Sequence, residues 1–230
     1  MSARDAVLGG IRRSLGVTGE EIARNATVSE RLLRAPKGVI PARGCLPASE
    51  RLALFAEMAE AVAATVQPVA APSDVPAAIV EYLRARDLPA AIRMGDDPLL
   101  AGLPWEATEI VPSRGASRGS DPVGLSHALA GVAETGTLLL ASGADNPTTL
   151  NFLPETHIVV VAADDIVGDY EAVWALLRKR VGKWRMPRTV NMITGPSRSA
   201  DIEQTILLGA HGPRRLHIVV VGQAGRSFRR

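Results

Sequence analysis

The stretch His157-Ile158-Val159-Val160-Val161-Ala162-Ala163 decides the fold class of this chain. It is short, almost continuously apolar and rich in β-branched residues, as is typical of a strand buried on both faces in a parallel sheet. Similar stretches at 189–194 and 216–222 are predicted as strands, and helical patterns are predicted at 169–180 and 199–208. This alternation predicts an α/β fold with a mainly parallel sheet sandwiched by helices.

The amino-terminal half continues the same alternation. Apolar residues at helical spacing predict one helix around Leu52 to Val66 and another that begins at Ser73, with short strands after each. Within 131–141, two β-prone runs flank Thr135-Gly136 and leave no room for a crossover helix. An antiparallel hairpin or a sharp bend is therefore predicted there.

The first 46 residues are predicted to be separate from the α/β domain. Ser2 and Asp5 have the spacing of a capping box at the start of a helix. From Gly16 onward the periodicity is poor and proline and glycine are frequent, which favours an arm or linker. We therefore expect a helical arm and linker over 1–46 and the α/β domain over 47–230.

Composition excludes several classes of function. With 26 Lys+Arg against 24 Asp+Glu and 3% aromatic residues, the chain lacks both the charge and the stacking surface of a nucleic-acid-binding protein. The single cysteine, Cys45, excludes an internal disulfide and a four-thiolate iron–sulfur cluster made by these residues alone. The histidines and the cysteine lack metal-ligand spacing, so no metal site is expected.

No apolar run is long enough for a membrane span, and the start of the chain lacks the apolar core of a signal peptide. We therefore expect a cytoplasmic protein without a membrane span.

The segment Thr194 to Pro213 is the first candidate site. A Gly-Pro-Ser-Arg-Ser turn between a predicted strand and a predicted helix would direct unpaired backbone N–H groups at one point and attract an anion. The candidate ligand-binding residues of this segment are Ser197, Arg198, Ser199, Asp201 and His211. The alternative is a well-capped structural helix, in which the acidic residues of the first turn stabilise the helix dipole.

Glu134 is the candidate catalytic residue. A glutamate beside a glycine turn and next to apolar strands would be partly desolvated and would suit a general base or nucleophile. Equally, Glu134 would hydrogen-bond to nearby backbone or pair with an arginine. Ligand-binding roles are predicted for Thr135, Gly136 and Thr137 in the same turn, and for Asn146 in the loop after the following strand.

The two candidate regions face one pocket if their strands are neighbours. Ligands in open α/β sheets gather at the carboxyl ends of strands, and the loops after Leu140 and after Ile193 both leave such an end.

Three ordered motifs give the chain a resemblance to a known family. They are Ala133-Glu134-Thr135-Gly136-Thr137, the run from Leu153 to Val161, and Gly195-Pro196-Ser197-Arg198-Ser199-Ala200-Asp201-Ile202-Glu203 with Leu208-Gly209-Ala210-His211-Gly212-Pro213. Together they resemble the LutC family of lactate utilization proteins, the LUD domain. Ser199 stands where many relatives have threonine.

The resemblance implies a fold similar to the ribose-5-phosphate isomerase, glucosamine-6-phosphate deaminase and CoA-transferase group (NagB/RpiA/CoA-transferase-like). It implies a subunit or accessory role in oxidising L-lactate to pyruvate. From the residues of the 194–203 turn, we expect a small carboxylate or other anion as ligand. LutA-like and LutB-like iron–sulfur proteins are the implied partners, and the iron–sulfur clusters are expected there, with no cofactor in this chain. The alternative is an independent enzyme acting on a phosphosugar, folate or CoA thioester, for which fold analogy is the only support.

Overall fold

The computed structural model describes residues 2–182, 185–202 and 205–222, with the backbone alone at 200–202 and 205–206. The chain forms two compact units, which meet in sequence between Val39 and Ile40. The domain boundary expected after residue 46 stays a prediction. No helix in the described part of the chain is long and apolar enough to cross a membrane.

The smaller unit contains helices α1 (Ala3–Leu15) and α2 (Ile22–Arg34). The predicted capping box of α1 is confirmed, because the Asp5 amide donates to Ser2 Oγ at 3.2 Å and the Ser2 amide donates to Asp5 Oδ2 at 3.1 Å. Helix α2 was not predicted. No residue of either helix is buried.

The larger unit is the α/β domain. Its elements, in chain order, are α3 (Ala48–Ala61), β1 (Thr65–Val69), α4 (Val75–Arg84), β2 (Ile92–Met94), α5 (Pro98–Ala101), β3 (Ser113–Arg114), β4 (Val123–His127), β5 (Ala130–Val132), β6 (Thr137–Ala141), β7 (Thr156–Ala162), β8 (Ile166–Val167), α6 (Tyr170–Val181), β9 (Val190–Ile193), β10 (Arg198–Ile202), β11 (Thr205–Leu208) and β12 (Arg215–Val221).

The principal sheet has six strands in the order β1-β12-β7-β4-β2-β3, and all of its pairings are parallel. A second sheet has the order β8-β5-β6-β9, in which β5 pairs antiparallel with β6 and β6 pairs antiparallel with β9. The predicted α/β class and the predicted hairpin at 131–141 are therefore both confirmed.

Alternate residues of β7 pack into different cores, as expected for a strand buried on both faces. Ile158 and Val160 pack with α4, whereas Val159 and Val161 pack with α3 and the inner face of β6. The outer face of β6, through Leu139, packs on α6 in a third cluster. The second sheet is thus a layer between the principal sheet and α6.

The predicted helix at 199–208 is wrong. This segment is the antiparallel hairpin β10-β11, which pairs Arg198 with Leu208. The ends of the hairpin are tied together, because the Gly209 amide donates to Ser197 O at 2.9 Å and the Ser197 amide donates to Pro213 O at 2.9 Å. The serine and the acidic residues imitate a helix start, but the branched residues of the segment favour strands once these ends are fixed.

Candidate functional site

A cavity of about 330 Å³ lies where the β9-β10 loop crosses the amino ends of β7 and β12. Three of the predicted ligand-binding residues line it, namely Ser197, Arg198 and His211. Because β10 is a strand, no helix amino terminus contributes to this cavity, and the helix-dipole part of the anion prediction is wrong. The grouping of these three residues around one concave site does not depend on the helix.

Local backbone geometry forms the wall of the cavity. Gly195, which lines it, has φ +75°, and a Cβ there would lie 2.4 Å from Val62 O. A glycine is therefore required for the loop to pass so close to the end of α3. The two hydrogen bonds of Ser197 then hold the following residues against the segment 209–213.

The charge of the lining favours an anion. The described residues that line the cavity include Arg198 and His211 but no aspartate or glutamate. Arg198 is exposed and Ser197 is half-buried, so the guanidinium and a hydroxyl are both accessible to a ligand. A guanidinium presents a planar array of donors that matches a carboxylate, and the apolar side chains of the lining suit a short carbon chain.

A buried polar chain adjoins the cavity. His157 and Asn151 line it, and each is 1% exposed. Ser126 Oγ donates to Asn151 Oδ1 at 3.2 Å and lies 3.0 Å from His157 Nε2. His157 Nδ1 and Asn151 Nδ2 have no hydrogen-bond partner, although buried polar atoms normally have one.

The hydrogen bonds fix the tautomer of His157. Ser126 has one hydroxyl hydrogen and gives it to Asn151, so it accepts a hydrogen bond from Nε2–H of His157. Burial lowers the pKa of His157 to about 3, so the ring is neutral at physiological pH. Nδ1 is therefore an unpaired acceptor and Asn151 Nδ2 an unpaired donor, both on residues of the cavity.

Sequence analysis missed this polar chain. Ser126 and His157 are polar residues on strands β4 and β7 of the principal sheet, where apolar residues prevail. A buried polar residue in such a strand is a signal of function, because its desolvation costs free energy unless a partner is present. From the sequence, His157 was assigned only to a predicted strand, and the spacing of the histidines argued against a metal site.

Buried histidines also predict how stability depends on pH. His217 stacks on Tyr82 with ring centroids 3.8 Å apart, and burial lowers its pKa to about 3, as for His157. In the unfolded chain a histidine has a pKa near 6.5, so below that pH the unfolded state binds more protons and the folded state loses stability. Each histidine should reduce the free energy of unfolding by about 2 kcal/mol between pH 7 and pH 5.

Urea denaturation at pH 7, 6 and 5 measures this loss, and His217→Gln should remove about half of it. A constant free energy of unfolding over this range would contradict the buried neutral state of both rings.

Glu134 does not line the cavity. It is 4% exposed, and its Oε1 accepts a hydrogen bond from the Tyr170 amide at 3.3 Å, in the first turn of α6. Asp169 caps the same helix through the Ala172 amide at 2.8 Å. The contact with nearby backbone is the second of the two alternatives left open by the sequence, and the catalytic role of Glu134 stays a prediction.

The other residues of its turn form a hydroxyl network. Thr135 Oγ1 lies 2.7 Å from Thr137 Oγ1, and Tyr170 Oη lies within 3.1 Å of both. Thr137 Oγ1 also lies 2.7 Å from Thr194 Oγ1, and Thr194 lines the cavity. Gly136 has φ +64° and packs against the backbone of α3. This turn therefore holds Thr194, a residue of the cavity wall, in place through the hydroxyl of Thr137.

Asn146 lies at the other end of β6. The strands β6 and β9 are neighbours, as the one-pocket prediction requires, but they are antiparallel, so the loops that follow them lie at opposite ends. These two loops therefore do not share a pocket, whereas the turn that contains Glu134 precedes β6 and lies at the same end as the loop after β9. Asn146 Nδ2 donates to Ala141 O at 3.2 Å, within its own loop.

The remaining predicted residues lie on β10. Ser199 is half-buried and pairs in register with Leu207. Asp201 lies on the same strand, and its side chain is outside the described part of the structure. Ser199 is not among the described residues that line the cavity.

Comparisons with known proteins agree with the resemblance stated above. The family model described as "LUD domain" matches residues 52–221. "Lactate utilization protein C" of Geobacillus sp. (strain WCH70) is 38% identical over 100 residues, which are 43% of this chain and 42% of that protein. The protein of the same name from Bacillus subtilis (strain 168) is 34% identical over 100 residues, with the same shares of 43% and 42%. These matches span less than half the length of the curated relatives.

A solved structure is similar over a larger part of the chain. The crystal structure of a DUF162 family protein from Deinococcus radiodurans is 28% identical, with a TM-score of 0.53, and the match covers 77% of this chain and 99% of that one. Because the family model matches well over half of the residues, this chain belongs to the LUD domain family.

Proposed function

We propose that this protein takes part in lactate utilization in the cytoplasm, and that it binds L-lactate in the cavity lined by Arg198 and His157. The observation that carries the proposal is that the residues lining one cavity include an exposed arginine and a neutral histidine whose buried Nδ1 has no hydrogen-bond partner. The names of the relatives, lactate utilization protein C, support the same choice of ligand.

Each group of lactate has a counterpart in the cavity. The carboxylate pairs with Arg198, assisted by the hydroxyl of Ser197. The hydroxyl donates to His157 Nδ1 and accepts from Asn151 Nδ2, which gives both buried atoms a partner. The methyl group packs on the apolar lining, which includes Ile193.

Oxidation of lactate to pyruvate releases two electrons and two protons, so the electrons need an acceptor. With Cys45 as their single cysteine, these residues cannot supply the four thiolates of an iron–sulfur cluster. We therefore propose that LutA-like and LutB-like iron–sulfur proteins receive the electrons, and that this chain acts as the subunit that binds the carboxylate.

A comparison of three monocarboxylates tests the ligand assignment. Propionate lacks the hydroxyl of lactate, so it would leave His157 Nδ1 unpaired and should bind about tenfold more weakly. Pyruvate has a carbonyl that accepts but cannot donate, so it should also bind more weakly than L-lactate. Isothermal titration calorimetry on the full chain measures all three affinities.

These titrations can contradict the ligand assignment, and titrations with further compounds test the alternative function. Equal affinity for propionate and L-lactate would contradict the role of His157, and absence of binding by all three would contradict the carboxylate cavity. Tighter binding of a phosphosugar, a folate or an acyl-CoA than of L-lactate would favour an independent enzyme.

A further inference from the structure

The topology of the principal sheet has a switch point that the proposed function does not use. From the end of β2 the chain continues to β3 at the edge of the sheet, whereas from β4 it continues, through the hairpin β5-β6, to β7 on the other side. The adjacent parallel strands β2 and β4 therefore leave in opposite directions. In open α/β sheets, ligands bind at the carboxyl ends of the strands at such a point.

A histidine and an aspartate lie at this switch point. His127 is the last residue of β4, and Asp97 follows the end of β2 by three residues. His127 Nδ1 is 3.0 Å from Asp97 Oδ2, and Asp97 Oδ1 accepts from the Leu100 amide at 2.9 Å. Burial alone would raise the pKa of Asp97, but the hydrogen bond and charge of His127 and the backbone amides hold it below its usual value.

The carboxylate orients the ring. An ionised Asp97 can only accept hydrogen bonds, so Nδ1 of His127 carries a hydrogen, and Nε2 is the ring atom left for a ligand. Among the residues that the structure describes, the ring has no second hydrogen-bond partner. The side chain of His127 is 21% exposed, so a ligand can reach it.

His127 lines a cavity of about 390 Å³ beside the carboxyl end of β7. Leu99, Ala162 and Leu176 give this cavity an apolar wall, Asp164 and Asp165 line it as well, and the last turn of α6 contributes Lys179 and Arg180. Arg180 is paired with Asp165. Within the described part of the chain Lys179 has no ion-pair partner, so its ammonium group is available to a ligand.

We propose that this cavity is a second ligand site, for a small molecule that carries both a hydroxyl and an anionic group. His127 Nε2 forms a hydrogen bond with the hydroxyl, Lys179 pairs with the anion, and the apolar wall covers the carbon skeleton. The lactate cavity adjoins the amino ends of the parallel strands, whereas this second cavity adjoins their carboxyl ends. The second site is therefore independent of the proposed function.

Glycerol 3-phosphate and 3-hydroxypropionate are suitable probes, because each has a hydroxyl and an anionic group, they distinguish phosphate from carboxylate, and neither has the 2-hydroxy carboxylate group that the lactate cavity is proposed to bind. Glycerol and inorganic phosphate each have one of the two features. Calorimetric titration of the full chain should show that at least one of the two probes binds at least tenfold more tightly than glycerol or inorganic phosphate. This ratio corresponds to about 1.4 kcal/mol, a typical gain from one additional charge-assisted hydrogen bond.

Variants assign the binding to this cavity. His127→Ala and Lys179→Ala should each weaken the preferred probe at least tenfold and leave L-lactate binding unchanged, whereas Arg198→Ala should leave the probe unaffected. Asp97→Asn keeps an oxygen for the Leu100 amide but places an amide group against Nδ1, which removes the acceptor that orients the ring of His127 and should also weaken the probe.

Thermal unfolding checks that each variant is folded; if His127→Ala is not, Asp97→Asn and Lys179→Ala decide the question. Binding of neither probe at millimolar concentration, or binding that all folded variants retain, would overturn the second site.

Discussion

Arg198→Ala should lower the affinity of the full chain for L-lactate about 10- to 100-fold, because hydrogen bonds to a charged group contribute about 1.5 to 3 kcal/mol. Arg198 is exposed at the start of β10 and lines the cavity, so its removal should leave the fold intact. Calorimetric titration measures the affinity, and circular dichroism checks the fold.

Two variants serve as controls for this prediction. Lys179→Ala also removes one positive charge. Lys179 lines the cavity at the carboxyl ends of the parallel strands, so this variant should leave lactate affinity unchanged. Arg198→Lys keeps the charge but loses the planar fork, so its affinity should fall between those of the unmodified chain and Arg198→Ala. If Arg198→Ala and Lys179→Ala have equal effects, the guanidinium does not contact the carboxylate.

Gly136→Ala should destabilise the α/β domain by about 3 kcal/mol or more. Gly136 has φ +64°, and a Cβ there would lie 2.3 Å from the backbone nitrogen of Ala59 in α3. The positive φ costs about 1 kcal/mol for a residue with a side chain, and the overlap with a packed helix costs more, since neither backbone can move freely. In a domain of this size the melting temperature should fall by about 6 to 12 °C.

Gly115→Ala is the matched control for this substitution. Gly115 also has a positive φ, of +106°, but a Cβ there would have nothing within 4 Å. The backbone strain of alanine is at least as large at φ +106° as at φ +64°, so a greater fall in the melting temperature of Gly136→Ala gives a lower limit for the cost of the overlap with α3. Equal losses would contradict the close packing of the Thr135–Thr137 turn on that helix.

The sequence was sufficient for the parts of the fold in which local pattern and tertiary packing agree. Strand β7 and helix α6 were recognised because their apolar residues have the periodicity of the elements they form. The hairpin β10-β11 was not, since its serine and acidic residues resemble a helix start, while the contacts that make it a hairpin join Ser197 to Gly209 and Pro213. Such contacts between distant residues leave no local signature.

The candidate site shows the same division. Ser197, Arg198 and His211 were identified from their types and their position after a strand, and they do line one cavity. Glu134 was placed beside them by an argument about the loops that follow β6 and β9. Those loops lie at opposite ends because the pairing is antiparallel, and it is the turn before β6, through Thr137, that meets Thr194 at the end of β9. The polar chain of Asn151, Ser126 and His157 joins three separate segments, so it became visible only in three dimensions.

A crystal structure of the full chain with L-lactate tests the central claim most directly. The account predicts lactate in the cavity of the β9-β10 loop, with its carboxylate within hydrogen-bond distance of the Arg198 guanidinium and its hydroxyl within hydrogen-bond distance of His157 Nδ1. At a lactate concentration that saturates binding in solution, a cavity without lactate, or lactate bound elsewhere on the chain, would contradict it.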